Sequence, residues 1–140
     1  MNNNTFKNEH KFEKRVELCT RLRSQYPDRI PVIIEPSDKK TIELNRKKYL
    51  TPVDISIGAF LNEIRKQAKV KPEEAIFLFF GSGVLAPTAF TMSQAYDKYK
   101  DEDGFLYITV ALENTFGEGL YDYVVNRVLE TSSSVAQIFF

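Results

Sequence analysis

His10 and Cys19 are the only histidine and the only cysteine among the 140 residues, and they are the natural starting point for chemistry. A cysteine beside a histidine is the smallest nucleophile-and-base arrangement, and both residues fall near the front of the chain. Cys19, however, lies on the apolar side of an amphipathic stretch, where a cysteine ordinarily packs as a small hydrophobe. Two such residues fall short of the roughly four ligands of a structural zinc site, and one cysteine forms no internal disulfide, which fits a reducing compartment. Gly81-Ser82-Gly83 is too short to cradle a phosphate and lacks the Lys-Ser/Thr that follows in phosphate loops; it reads as a hairpin turn. Asp101-Glu102-Asp103-Gly104 is acidic but lacks the alternating ligands and closing glutamate of a calcium loop, so it reads as a solvated turn. No positioned set of acid, base and nucleophile stands out. We therefore expect no enzyme, no metal and no cofactor.

The elements that must position any binding surface follow from periodicity. Val16, Leu18, Cys19 and Leu22 recur at helical steps within Glu13–Gln25, and Pro27 ends that helix because the residue before a proline leaves the α region. Arg29–Glu35, rich in β-branched residues, reads as a strand. Pro36–Thr41 turns the chain, and Ile42–Leu50 returns as a second strand. Ser56 is a good N-cap for a helix carrying Ile57, Phe60, Leu61, Ile64 and Ala68 on one face. Ala75–Phe80 is a continuous apolar run that reads as a strand covered on both faces. Thr91-x-x-Gln94 has capping-box spacing and opens a short helix, and Phe105–Leu112 is a further strand. The order β-β-α-β-α-β behind a helical front predicts an α+β chain of β-grasp plan. A right-handed crossover through the long helix would set the first and last of these strands side by side in the centre.

Size and charge set outer bounds. A chain of this length can bury one core without staples. No run of 18 apolar residues exists, so no membrane span is expected. Met1-Asn2-Asn3-Asn4 lacks an apolar run behind a basic start, so no secretory signal is expected. The net charge of zero is unevenly spread: residues 1–50 carry twelve Lys/Arg against seven Asp/Glu, residues 51–117 six against nine, and residues 118–140 one against three. A basic front half suits acidic peptides or an anionic surface, although an ordinary solvated face has the same composition. No nucleic-acid partner is expected.

Several separated motifs carry a resemblance. Phe12-Glu13-Lys14-Arg15, Tyr26-Pro27-Asp28-Arg29-Ile30-Pro31-Val32-Ile33 and Lys47-Lys48-Tyr49-Leu50 resemble the ubiquitin-like autophagy modifiers, the lipid-conjugated family that includes the microtubule-associated light chains and the GABA-receptor-associated protein. Pro87-Thr88, Asp101-Glu102-Asp103-Gly104-Phe105-Leu106-Tyr107 and Glu113-Asn114-Thr115-Phe116-Gly117 are similar to the same pattern, so the likeness runs in order from about residue 6 to 117. It implies a ubiquitin-like β-grasp with two extra N-terminal helices. The division is then 1–27 as helical extension, 28–117 as β-grasp domain and 118–140 as tail.

The resemblance also implies a function. A processing cysteine protease would cut after Gly117, behind Phe116. Activating and transfer enzymes would then join the glycine to phosphatidylethanolamine, placing a cytoplasmic protein on the autophagosome membrane. A residue without a Cβ suits narrow protease and transferase channels. Cargo receptors would be read through short aromatic-x-x-aliphatic peptides that add a strand to the sheet edge. Leu22, Pro31, Lys48, Leu50 and Phe105 match one pocket, and Tyr49, Pro52, Ile55 and Phe60 match the other. Arg29, Arg46 and Lys48 would meet acidic flanks. Taken alone, each of Leu22, Ile55 and Phe60 reads more readily as core packing. Two departures bear on cargo choice: Glu63 stands where the pattern has an aliphatic residue, and Gln67 replaces an expected basic one.

Residues 118–140 form a tail where such proteins usually have few residues or none. Leu120, Tyr121, Val124, Val125, Val128 and Leu129 recur at helical spacing, and Val135–Phe140 is apolar except for Gln137. Either the tail is a cleaved propeptide, or it is retained and packs on the core, touches a membrane or pairs with another chain. The retained tail belongs to an alternative reading, a non-conjugated peptide-binding scaffold. A sister modifier coupled to a protein lysine is disfavoured by the front helices and the tail beyond Phe116-Gly117. Tyr121-Asp122-Tyr123-Val124 has the aromatic-x-x-aliphatic form itself, so the tail is a candidate occupant of the groove of its own or, since only three residues link it to Gly117, more readily of a neighbouring molecule, although an apolar helix resting on its own domain is the plainer reading.

Overall fold

A computed structural model describes residues 5–38, 42–68, 70–81, 83–113 and 138–140. In chain order the elements are α1 (Phe6–Glu9), α2 (Phe12–Gln25), β1 (Arg29–Pro36), β2 (Lys48–Pro52), α3 (Ile57–Ala68), β3 (Ala75–Phe80), α4 (Met92–Tyr99), β4 (Leu106–Glu113) and β5 (Ile138–Phe139). The strands form one sheet in the order β3-β4-β1-β2-β5. β1 and β4 run parallel in its middle, as the crossover rule predicts, and the other neighbours are antiparallel. This is the expected β-grasp with two helices in front.

The pleat of β1 divides the interior. Val32 and Ile34 join Tyr49, Ile57, Phe60 and Ile64 in the larger cluster beneath α3. Ile33, one residue out of phase, joins Leu50, Phe105, Phe6, Cys19 and Leu22 beneath the front helices, because successive side chains of a strand face opposite sides. Ser56 Oγ accepts the Ala59 N–H at 3.0 Å and starts α3. Thr91 and Gln94 close a reciprocal capping box on α4, at 3.1 and 2.9 Å.

The front helices are pinned as well as packed. The Arg15 guanidinium donates to Asp103 Oδ2 at 2.7 Å, the Tyr107 hydroxyl donates to the same oxygen at 2.5 Å, and the Phe105 N–H donates to Oδ1 at 2.9 Å. Lys7 pairs with Asp101 at 2.7 Å. The Phe6 N–H donates to Glu35 Oε2 at 2.9 Å.

Three expectations are corrected. Residues 42–47 are not strand: Ile42 and Leu44 are buried in alternation with exposed neighbours, but the ladder with β1 begins only at Lys48. β3 is an edge strand, so Phe77 and Phe79 are only half-buried rather than covered on both faces. The acidic turn is not a solvated one, because Asp103 is 2% exposed and ion-paired. The glycine turn after β3 does form: the Gly83 N–H donates to the Phe80 carbonyl at 2.7 Å with Gly83 at φ +88°, and Leu85 returns beside Phe79.

Candidate functional site

The site begins with two prolines. The Ile34 N–H donates to the Lys47 carbonyl at 2.8 Å, and the Val53 N–H to the Asp28 carbonyl at 3.3 Å. In an antiparallel ladder, bonded and non-bonded pairs alternate between such points. Pro31 opposite Leu50 and Pro52 opposite Arg29 therefore fall at non-bonded positions, where a missing N–H costs the β1–β2 ladder nothing. The same alternation turns the N–H and C=O of Lys48 and Leu50 away from β1, toward the outer edge of β2. That edge can accept another strand.

Side chains on each face of the edge make two apolar floors. On the front-helix face lie Leu22, Leu50 and Phe105, all nearly fully buried, with Pro31 buried beside them. The half-buried Lys48 holds its Nζ 5.6 Å from the Phe6 ring. On the α3 face Tyr49 meets Phe60 edge-on at 5.2 Å. Ile55 packs half-buried against the same cluster, and Pro52, half-buried, closes the end of β2. Burial pushes the Tyr49 phenol up to about 12, against opposing contributions from Gln67 and Arg46. The Arg29 guanidinium donates to the Leu50 carbonyl at 3.3 Å, on the edge itself. The residues matched to each pocket thus lie about one strand, but Phe60 is wholly buried core and reaches the edge only through Tyr49.

The edge is occupied. β5 lies on it antiparallel, with Ile138 opposite Leu50 and Phe139 opposite Tyr49. The Phe139 ring meets Tyr49 edge-on at 5.1 Å, under the Arg46 guanidinium at 4.2 Å. The Phe140 ring stacks on Phe105 at 5.7 Å and joins the front-helix cluster. Phe116, Gly117, Tyr121 and Val124 lie outside the described residues.

Gln67 has a role that its type did not announce. Its Oε1 accepts the Asn45 N–H at 2.8 Å and the Arg46 N–H at 3.3 Å, and its Nε2 donates to the Arg46 carbonyl at 3.0 Å. It clasps the segment approaching β2 to α3 and so sets Arg46. A glutamine at the penultimate position of a basic-ended helix gives no local hint of this. Glu63 is partly exposed and faces Lys66 at 3.7 Å, so its carboxylate is not left unpaired.

Cys19 lies buried in the front-helix cluster. Burial, then Asp103, pushes the Cys19 thiol up to about 11, whereas a nucleophilic cysteine needs a lowered value. The His10 ring packs on Phe6 at 4.7 Å. No group of three or more metal-ligating side chains occurs among the described residues. None of the described helices is long and apolar enough to cross a membrane.

A β-grasp with two front helices and a strand-accepting edge flanked by two apolar floors defines a ubiquitin-like protein. The comparisons give the particular family. The family model "Autophagy protein Atg8 ubiquitin like" matches residues 14–117. Autophagy-related protein 8 of Cochliobolus heterostrophus is 54% identical over 116 residues, covering 82% of this chain and 97% of that protein. Autophagy-related protein 8d of Arabidopsis thaliana is 50% identical over 114 residues, covering 81% and 94%. The crystal structure of Trypanosoma brucei ATG8 superposes with a TM-score of 0.73 at 38% identity, covering 83% of this chain and all of that one. The chain belongs to the Atg8 family of ubiquitin-like autophagy proteins.

Proposed function

We propose that this chain is a modifier joined through Gly117 to phosphatidylethanolamine on autophagic membranes, where it recruits cargo receptors and adaptors through short aromatic-x-x-aliphatic peptides. The outer edge of β2 supports the recruiting half of this reading: its backbone groups face outward between two apolar floors, and it takes an added strand bearing aromatic rings. Backbone bonds of such a strand supply affinity and the floors supply choice. Arg29, Arg46 and Lys48 cluster along the edge and would favour acidic flanks.

The conjugating half rests on Glu113-Asn114-Thr115-Phe116-Gly117 and on the family match ending at Gly117. A cysteine protease removes residues 118–140. Activating and transfer enzymes then form an amide between the Gly117 carboxyl and the lipid amine, and the domain of residues 28–117 with its extension, 1–27, moves from cytoplasm to autophagosome. Gly117→Ala is expected to block cleavage or lipid transfer while leaving the far-ultraviolet circular dichroism unchanged. A variant that becomes membrane-bound at the wild-type level would overturn the assignment of Gly117. The second reading, a scaffold that keeps its tail, is favoured by β5 lying on the edge. Intact-mass measurement of the protein from cells separates the two, since the first ends at Gly117.

A further inference from the structure

We propose that residues 138–140 are a resident ligand of the chain's own β2 edge, closing the peptide groove to partners until the segment is displaced or removed with the rest of the tail. The closing of the groove rests on the peptide-binding reading above; the occupancy does not. Three observations carry it. Ile138 stands opposite Leu50, whose backbone N–H and C=O face outward, so β5 uses the groups an incoming peptide strand would need. Phe140 stacks on Phe105 at 5.7 Å and Phe139 meets Tyr49 at 5.1 Å, so consecutive rings cover the two floors, as alternation along a strand requires. Arg46, placed to meet acidic flanks, instead has its guanidinium over Phe139 at 4.2 Å.

Reach is not an obstacle. From the end of β4 the chain must cross β1 and β2, about 15 Å at roughly 4.8 Å per strand. The 24 residues 114–137 extend up to about 80 Å. A motif at Tyr121, a few residues past Gly117, would have had little such slack. A tethered segment meets its site at an effective concentration near 1 mM. If its intrinsic Kd is about 0.1 mM, it weakens a competing peptide about tenfold.

The test uses the full chain, wild type and two variants. Phe139→Ala with Phe140→Ala removes both rings. Ile138→Pro keeps the rings and removes the N–H opposite Leu50. Backbone amide shifts of Lys48, Tyr49, Leu50 and Phe105 are recorded without added peptide over a range of protein concentrations. Both variants are expected to move these resonances while leaving those of α3 and β3 in place, with wild-type shifts independent of concentration. Unmoved resonances in both variants would overturn the occupancy. Wild-type shifts that develop only as concentration rises would assign the occupant to a second copy and overturn it equally. Each chain is then titrated with an acidic-flanked Trp-x-x-Leu peptide, and both variants are expected to bind about tenfold more tightly than wild type. Equal affinities would overturn the closing of the groove. Peptide binding by none of the chains, with the resonances moved, would sink the peptide-binding reading and leave the occupancy standing.

Discussion

Gly104 shows how much one residue can be asked to satisfy. Its φ of +96° lies where a side chain is rarely tolerated, and an added Cβ would fall 2.7 Å from Cys19 Sγ. Its carbonyl accepts the Tyr96 hydroxyl at 2.7 Å. The preceding Asp103 turns inward to Arg15 and Tyr107, so the turn is the latch between the front helices and β4. Gly104→Ala is expected to destabilise the chain by about 2–4 kcal/mol: roughly 1–2 from the left-handed backbone, the rest from displacing a buried sulfur. Urea unfolding measures it, and a midpoint equal to wild type would contradict the latch.

At the scale of elements, the approach to β2 matters more than β2 itself. Residues 42–45 alternate in burial as a strand would, yet residues 42–47 form no ladder, and Gln67 on α3 supplies the partners that a neighbouring strand would have given. Because Oε1 accepts two N–H groups, a lysine, which only donates, could not replace it. Gln67→Ala is expected to cost about 1–2 kcal/mol, given roughly 0.5–1.5 kcal/mol net per hydrogen bond and partial exposure. It should also release Arg46 from Phe139, read as a loss of ring-current shift at the guanidinium. Unchanged stability together with an unchanged Arg46 signal would show that the clasp is incidental.

Across the whole molecule, both faces of the sheet bury groups that are neutral only below strongly alkaline pH. Burial raises the Cys19 thiol from 9.0 to about 11, the Tyr49 phenol from 10.0 to about 12, and the Tyr107 phenol as well, with Asp103 adding to the last. For a raised value, the contribution to stability is complete below the unfolded pKa and is lost as pH climbs toward the folded one. Stability should therefore hold to about pH 9 and then fall, by at most about 1.4 kcal/mol per pH unit for each group titrating. Urea midpoints between pH 8 and 10.5 follow this. Cys19→Ala should flatten the fall above pH 9, and a wild-type profile flat to pH 10.5 would contradict the burial argument.

Most of the frame was legible along the chain, because its causes are local. The β-branched run at Ile30–Ile34, the apolar stripe from Ile57 to Ile64, the Thr91/Gln94 box and the glycine turn after Phe80 each act within a few residues, and each formed as read. The residues matched to the two pockets, around Leu50 and Tyr49, were named through spaced motifs shared with a family, and the fold sets them about β2. Three things depended on residues distant in sequence meeting in space. Asp103 became buried only because Arg15, 88 positions earlier, arrived to pair with it. Gln67 became a clasp only because residues 45–46 passed beside α3. The β2 edge is paired by Ile138 and Phe139, because a strand edge is filled by whichever segment brings backbone groups and rings into register. Residue types alone carry no record of that register.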